Sequence, residues 1–347
     1  MKPLPPKVCA AWLGICLLCG CAEGGGDNAP APVDVLVEGI AKQQILVSIE
    51  AFSSAAGDLH NAATQFCDAP ADGDFSAVQS AWQHGAEAWY RVQLFNFGPA
   101  DVDPVLPAYS FIDSLRLRGT DYTDDLRNAL ARWRTGDKPL DSAFFAEQRF
   151  NDLGLLAVEL ALYDSADLEA AYDGDARRCE LLVGLTGDLR SRAESLLAGW
   201  IESYDGGDTG FLDLLLSAAL PNGRLPLVQV LVSAQEYADY LHSRHVVKLA
   251  GQASGTTWDL LDAGVGAIEA LLTQDLKGGS VFYWMERLDG PEPVQAVREK
   301  LDATRAALEA QDADTLEATL AELDGCFKRE VPDALQVELG LNFTDGD

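Results

Sequence analysis

The sequence has 347 residues and a formal charge of −30 at pH 7, from 55 acidic and 25 basic side chains. A chain this acidic repels phosphate backbones and anionic headgroups, which argues against nucleic acid as a partner. Its length is enough for two sizeable hydrophobic cores.

The first segment, MKPLPPKVCAAWLGICLLCGC, places Lys2 and Lys7 ahead of an apolar run from Val8 to Cys19. That run is too short for a spanning helix and reads as a signal peptide over residues 1–20. Its end, Leu18-Cys19-Gly20-Cys21, resembles a bacterial lipobox, with Cys21 as the lipid-bearing first residue of the mature chain. Ordinary secretion with cleavage near Gly20 is the alternative. The following AEGGGDNAPAP reads as a flexible tether, so residues 21–33 link anchor and fold. Ala22 is not the Asp that signals inner-membrane retention. The expectation is therefore an exported lipoprotein on the periplasmic face of the outer membrane. No later run is long and apolar enough to span a bilayer.

From residue 35 the hydrophobic pattern is helical nearly everywhere. Residues 35–67 carry apolar side chains at three- and four-residue spacings and end at Cys67. In 75–95, Trp82 and Trp89 fall seven apart on one face. His60 and His84 sit in these amphipathic runs, where a hydrogen-bonded or surface imidazole outweighs a metal ligand. The run GLLAVELAL at 154–162 holds one ionisable group, Glu159, flanked at helical spacing by Leu155, Leu156, Leu162 and Tyr163. A carboxylate on such a face must be paired, protonated or metal-bound. A helix over 175–204 starts at Asp175 and contains Cys179.

The segment YDGGDTG, 204–210, is the strongest breaker and the expected domain boundary, dividing 34–204 from 205–347. Helical runs follow near 211–219, 225–249, 256–275, 292–310 and 313–329, the last capped by Asp312 or Asp314. His242 and His245 share a helix face at i and i+3, with Glu236 and Asp239 one to two turns before. Such a face could hold a transition metal, although Arg244 and Lys248 oppose a cation and a solvated face is the plainer reading. LQVELGLNF, 335–343, is the one tempting strand alternation. The fold class is all-α: two antiparallel helical-bundle domains.

Of the seven cysteines, Cys9, Cys16 and Cys19 leave with the signal and Cys21 carries the lipid. An exported chain sits where disulfides form. Cys67 and Cys179, at the ends of helical runs, are the favoured pair, which leaves Cys326 over. No HExxH helix, GxSxG elbow, P-loop or dinucleotide glycine fingerprint occurs. No catalytic residue is therefore assigned.

Five stretches together resemble the imelysin-like proteins: FCDAP at 66–70, SAWQHGAEAWYRVQLFNFGP at 80–99, GLLAVELALYD at 154–164, RRCELLVGLTGDLRSRAESLLAGW at 177–200, and LGLNFTDGD at 339–347. These are exported helical proteins of bacteria, named for an insulin-cleaving member and linked to iron acquisition. The resemblance implies two bundle-like domains with a site between them. The family signature is GxHxxE; Gly154 and Glu159 match it, but Leu156 stands at the His position. LPAYSFIDS, 106–114, departs from the family's Trp-Pro-Asp in the same way. What the resemblance implies is a non-catalytic accessory of iron or haem uptake, with iron as the candidate metal and iron-uptake proteins as partners. A structural or partner-binding lipoprotein without metal is the alternative, and a metallopeptidase comes last. Glu159 and, from the helix-face spacing above, His242 and His245 are the candidate metal ligands, with Glu159 expected to be a structural or weakly functional buried carboxylate rather than half of a tight metal pair.

Overall fold

A computed structural model describes residues 32–115 and 119–339. Cys21, the expected lipid acceptor, and the last part of the strand-like LQVELGLNF lie outside these residues. Its first part, Leu335–Leu339, forms no strand, and no strand occurs among the described residues.

The first half is built on three long helices. Helix α1 (Pro32–Ile40) runs through a π-helical turn, Ala41–Ile45, into α2 (Leu46–Asp68). Inside that turn Gln44 reaches out to donate to the Ala270 carbonyl at 2.8 Å. Helix α3 (Phe75–Val92) begins where the Asp74 carboxylate accepts the Ala77 N–H at 3.0 Å, a side-chain cap on an otherwise unpaired donor. Then come α4 (Thr123–Thr135), α5 (Ser142–Ala146), α6 (Gly154–Tyr163), α7 (Leu168–Tyr172) and the long α8 (Ala176–Ile201), capped by Asp175.

Helix α8 runs antiparallel to α2, a direction fixed by two cross-links in register. Cys67 is bonded to Cys179, with Cα atoms 5.3 Å apart. Seven residues back on α2 and seven forward on α8, His60 Nδ1 meets Thr186 Oγ1 at 3.2 Å. Between them Phe52, Leu59, Ala63, Leu182, Leu185 and Leu189 are fully buried.

The second half holds α9 (Phe211–Leu216), α10 (Pro226–Ser243), α11 (Val246–Leu249), α12 (Thr257–Thr273), α13 (Val281–Asp289), α14 (Pro291–Glu309), α15 (Ala313–Lys328) and α16 (Glu330–Ala334). Pro226 opens α10, where a missing N–H costs nothing. Asp312 caps α15 by accepting the Thr315 N–H at 3.1 Å. The single helix expected over 225–249 is interrupted after Ser243, because His245 adopts a left-handed conformation at φ 56°.

The halves are joined through α3, which packs on α12 and whose C-terminal end meets α10. The Tyr237 hydroxyl donates to the Tyr90 carbonyl at 2.6 Å, and Ser233 Oγ donates to the Leu94 carbonyl at 2.9 Å. Both carbonyls lie near the end of α3, so these side chains anchor the second half to the helix that also supports the signature segment.

Candidate functional site

The signature segment owes its conformation to its first residue. Gly154 has φ +77°, a region that disfavours any Cβ. The carbonyl oxygens of Ile112 and Phe111 occupy the space where a Cβ would lie. The Leu155 N–H then donates to that Ile112 carbonyl at 2.9 Å. Trp82 of α3 donates its indole N–H to the Leu155 carbonyl at 3.0 Å. At the far end of α6, the Tyr163 hydroxyl donates to the Gln79 carbonyl at 2.9 Å. Helix α6 is thus clamped along α3 at both ends.

Glu159 is 3 % exposed and does receive a partner. Its Oε1 accepts the backbone N–H of Ser254 at 2.9 Å and the Ser254 hydroxyl at 2.8 Å. Ser254 is in the loop between α11 and α12, presented by a turn between Gly251 (φ +61°) and Gly255 (φ +75°). Burial pushes the Glu159 carboxyl above its ordinary range. The Ser254 donors pull it back only in part, and the neighbouring Asp113 charge adds to the rise. Sequence reasoning did not reach Ser254, which lies 95 residues downstream. The signal available was GQASG, a small-residue turn able to bring backbone close to a buried acid. Arg116 and Arg118, two cationic side chains that precede this segment in sequence, lie outside the described residues.

Beside Glu159 is a cavity of about 50 Å³ lined by Trp82, Tyr90, Asp113, Thr120 and Leu156, among others. Ligand pockets for drug-sized molecules run to roughly 300–1,000 Å³, so this one admits a few waters or an ion rather than a macrocycle. Asp113 is held from two sides: Gln93 Nε2 donates to it at 3.2 Å and the Tyr240 hydroxyl at 3.3 Å. The Tyr90 phenol is pushed well above its ordinary value by burial, and further by Tyr240 and Asp113, so it stays protonated.

This donor set does not fit a His/Glu metal pair. The position one turn before Glu159 is Leu156, which offers no lone pair, and no imidazole lines the cavity. One of the two Glu159 oxygens, Oε1, already accepts two hydrogen bonds from Ser254. Among the described residues, the group of three side chains close enough to share a metal ion is Asp239, His242 and Asp324, without Glu159.

The structure also separates the two C-terminal histidines. His242 is in the last turn of α10, against α15. His245 follows the helix end, exposed, and is not part of the Asp239–His242–Asp324 group. The shared face at i and i+3 is not formed, because α10 does not continue to 249. The remaining histidines are a buried-side hydrogen-bonding group, His60, and an exposed side chain, His84. Cys326 is a free, buried thiol in α15.

Comparison with known proteins agrees with this architecture. Residues 45–341 match the Imelysin family model. Iron-regulated protein A of Synechococcus elongatus is 22 % identical over 226 residues, 64 % of this chain. The chain spans about half the length of that relative, with 55 % of it matched. An imelysin-like protein from Psychrobacter arcticum has the same fold, with a TM-score of 0.73 and 17 % identity over 90 % of this chain and 98 % of that one. So does a candidate iron-regulated protein A precursor from Parabacteroides distasonis, at 0.71 and 14 % over 88 % and 96 %. The match to the family model covers most of the sequence and includes the Gly154–Glu159 segment, and on that ground the chain belongs to the imelysin family.

Proposed function

We propose that this chain is an exported lipoprotein, anchored through Cys21 to the periplasmic face of the outer membrane, that serves bacterial iron or haem uptake by binding rather than by peptide hydrolysis. The observation that carries the reading is the state of Glu159. Peptide hydrolysis by the signature pair needs a metal-activated water. Here the His position is Leu156 and the Glu is engaged by Ser254. A carboxylate so engaged ties α6 to the α11–α12 loop rather than presenting a metal-bound water. The link to iron rests on the iron-regulated protein A relative.

The experiment compares a deletion strain with its parent for uptake of radiolabelled iron and for growth under chelation. The expected result is reduced uptake, restored by the wild-type gene and also by a Leu156→Ala allele, which leaves the Ser254 contact in place. Unchanged uptake in the deletion strain would overturn the iron assignment and leave a partner-binding protein without metal. Chelator-sensitive cleavage of insulin chains by the purified protein would instead establish a peptidase.

A further inference from the structure

Helices α10 and α15 pack antiparallel, and near the C-terminal end of α10 they bring three metal-binding groups together. One ligand atom each from Asp239, His242 and Asp324 lies within 4.8 Å of the others. His242 Nε2 is 3.6 Å from Asp239 Oδ1 and 3.9 Å from Asp324 Oδ2. Both separations are too long for a hydrogen bond. Two ligands on a tetrahedral ion with arms of about 2.0–2.1 Å stand roughly 3.4 Å apart. The two His242 separations exceed this by a few tenths of an ångström, and side-chain movement of up to about 1.4 Å closes the group, whose ligand atoms all lie within 4.8 Å of one another, around one ion.

A second observation points the same way. His242 Nε2 is buried and has no hydrogen-bond partner. Buried polar atoms in folded proteins are nearly always satisfied, and an unsatisfied one calls for an explanation. Behind the cluster, Gln235 Nε2 donates to Asp324 Oδ1 at 2.7 Å and leaves Oδ2 facing His242. An outer donor of this kind orients a ligating carboxylate.

One group opposes an ion. Lys328 Nζ sits 2.7 Å from the same Asp324 Oδ2. Its side chain is about one third exposed and long enough to swing into solvent. With Lys328 in place, two carboxylates and one ammonium leave one net negative charge. A divalent ion in place of the ammonium neutralises the pair.

We propose that Asp239, His242 and Asp324 bind a divalent first-row transition cation, and that Lys328 is its internal competitor, holding Asp324 when the ion is absent. One imidazole and two carboxylates suit zinc, iron(II) or manganese better than calcium. Three protein ligands leave a coordination position for water. The site is separate from Glu159 and stands whether or not the protein serves iron uptake.

The test is calorimetric titration of Zn²⁺ into the full mature chain, with Ca²⁺ as the comparison. One Zn²⁺ per chain is expected, with Ca²⁺ bound at least about tenfold more weakly. His242→Gln should weaken Zn²⁺ binding by at least about tenfold, as loss of a direct ligand exceeds the loss of an outer-shell group. Lys328→Met should strengthen it several-fold, an effect opposite to that of disrupting a structural ion pair, and His245→Asn should leave it unchanged. The Lys328 and His245 variants alter partly or fully exposed side chains, so they read out even if His242→Gln fails to fold. No Zn²⁺ binding below about 100 µM in either wild type or Lys328→Met overturns the site. Binding that survives His242→Gln, or that Lys328→Met does not strengthen, overturns the assignment of these residues.

Discussion

Glu159 is held by a contact whose worth can be separated from its charge. Its Oε1 takes both Ser254 donors, and a glutamine oxygen can accept both as well. Glu159→Gln should therefore cost little. Glu159→Ala should cost on the order of 1–3 kcal/mol in urea unfolding, because it removes the acceptor of two part-buried Ser254 donors and enlarges the adjoining cavity. The two also differ in pH dependence. The folded-state carboxyl titrates above its ordinary value of 4.5, so ionisation is penalised by folding. As pH rises from about 4.5 through the folded-state value, wild type should lose stability relative to Glu159→Gln, and the gap should then level off. A gap independent of pH between 4 and 8 would show that burial does not govern this carboxyl. Gly154 makes a second test at this scale. Gly154→Ala combines a left-handed backbone with overlap on two carbonyls, and should cost about 1–3 kcal/mol or more. The apolar setting of Glu159 was legible from its helical neighbours. Its partner was not, because a loop almost a hundred residues away leaves no periodic trace.

At the scale of elements, what could be read from sequence followed what repeats. The α2, α3, α8, α12, α14 and α15 spans show in the spacing of apolar residues, and the caps at Asp175 and Asp312 in single side chains. Three features escaped. The left-handed turn at His245 cuts a run that stays apolar on both sides. The short α13 lies in GGSVFYWMERLDG, where aromatic residues blur a helical period. LQVELGLNF alternates like a strand yet offers no neighbouring strand to pair with among the described residues. The caps can be tested singly. Asp312→Ala should lower stability by about 1 kcal/mol. The Cys67–Cys179 bond should matter more, since it closes a loop of 112 residues in sequence separation. Replacing both cysteines by serine should cost about 2–5 kcal/mol, seen as a lower urea midpoint that reductant does not lower further.

For the whole molecule, sequence and structure meet at the helix that both halves use. The all-α class follows from periodicity alone, but that Tyr237 and Ser233 would fasten onto carbonyls at the end of α3 does not. Those bonds depend on tertiary placement, where a tyrosine and a serine carry no pattern of their own. The proposed attachment to the membrane concerns the chain as a whole and is tested in cells. Labelled palmitate should enter the wild-type protein and not a Cys21→Ser variant, and equal labelling of both would exclude the lipid anchor. More than one acyl chain on Cys21 would make that attachment stable, where a single chain binds only marginally.

Cys326 turns the C-terminal helices into their own reporter. The disulfide occupies Cys67 and Cys179, so Cys326 is the free thiol of the described residues. It is 5 % exposed, and burial pushes it up to about 11. A thiol that is both covered and protonated does not react with alkylating reagents until α15 lifts from its neighbours. The rate at which the native protein takes up a maleimide therefore measures the opening of that helix. With no added dye or engineered residue, it gives a local free energy to set against global unfolding by denaturant. Equal values would make the helices one cooperative unit, and a smaller value at Cys326 would mark the C-terminal bundle as the part that opens first.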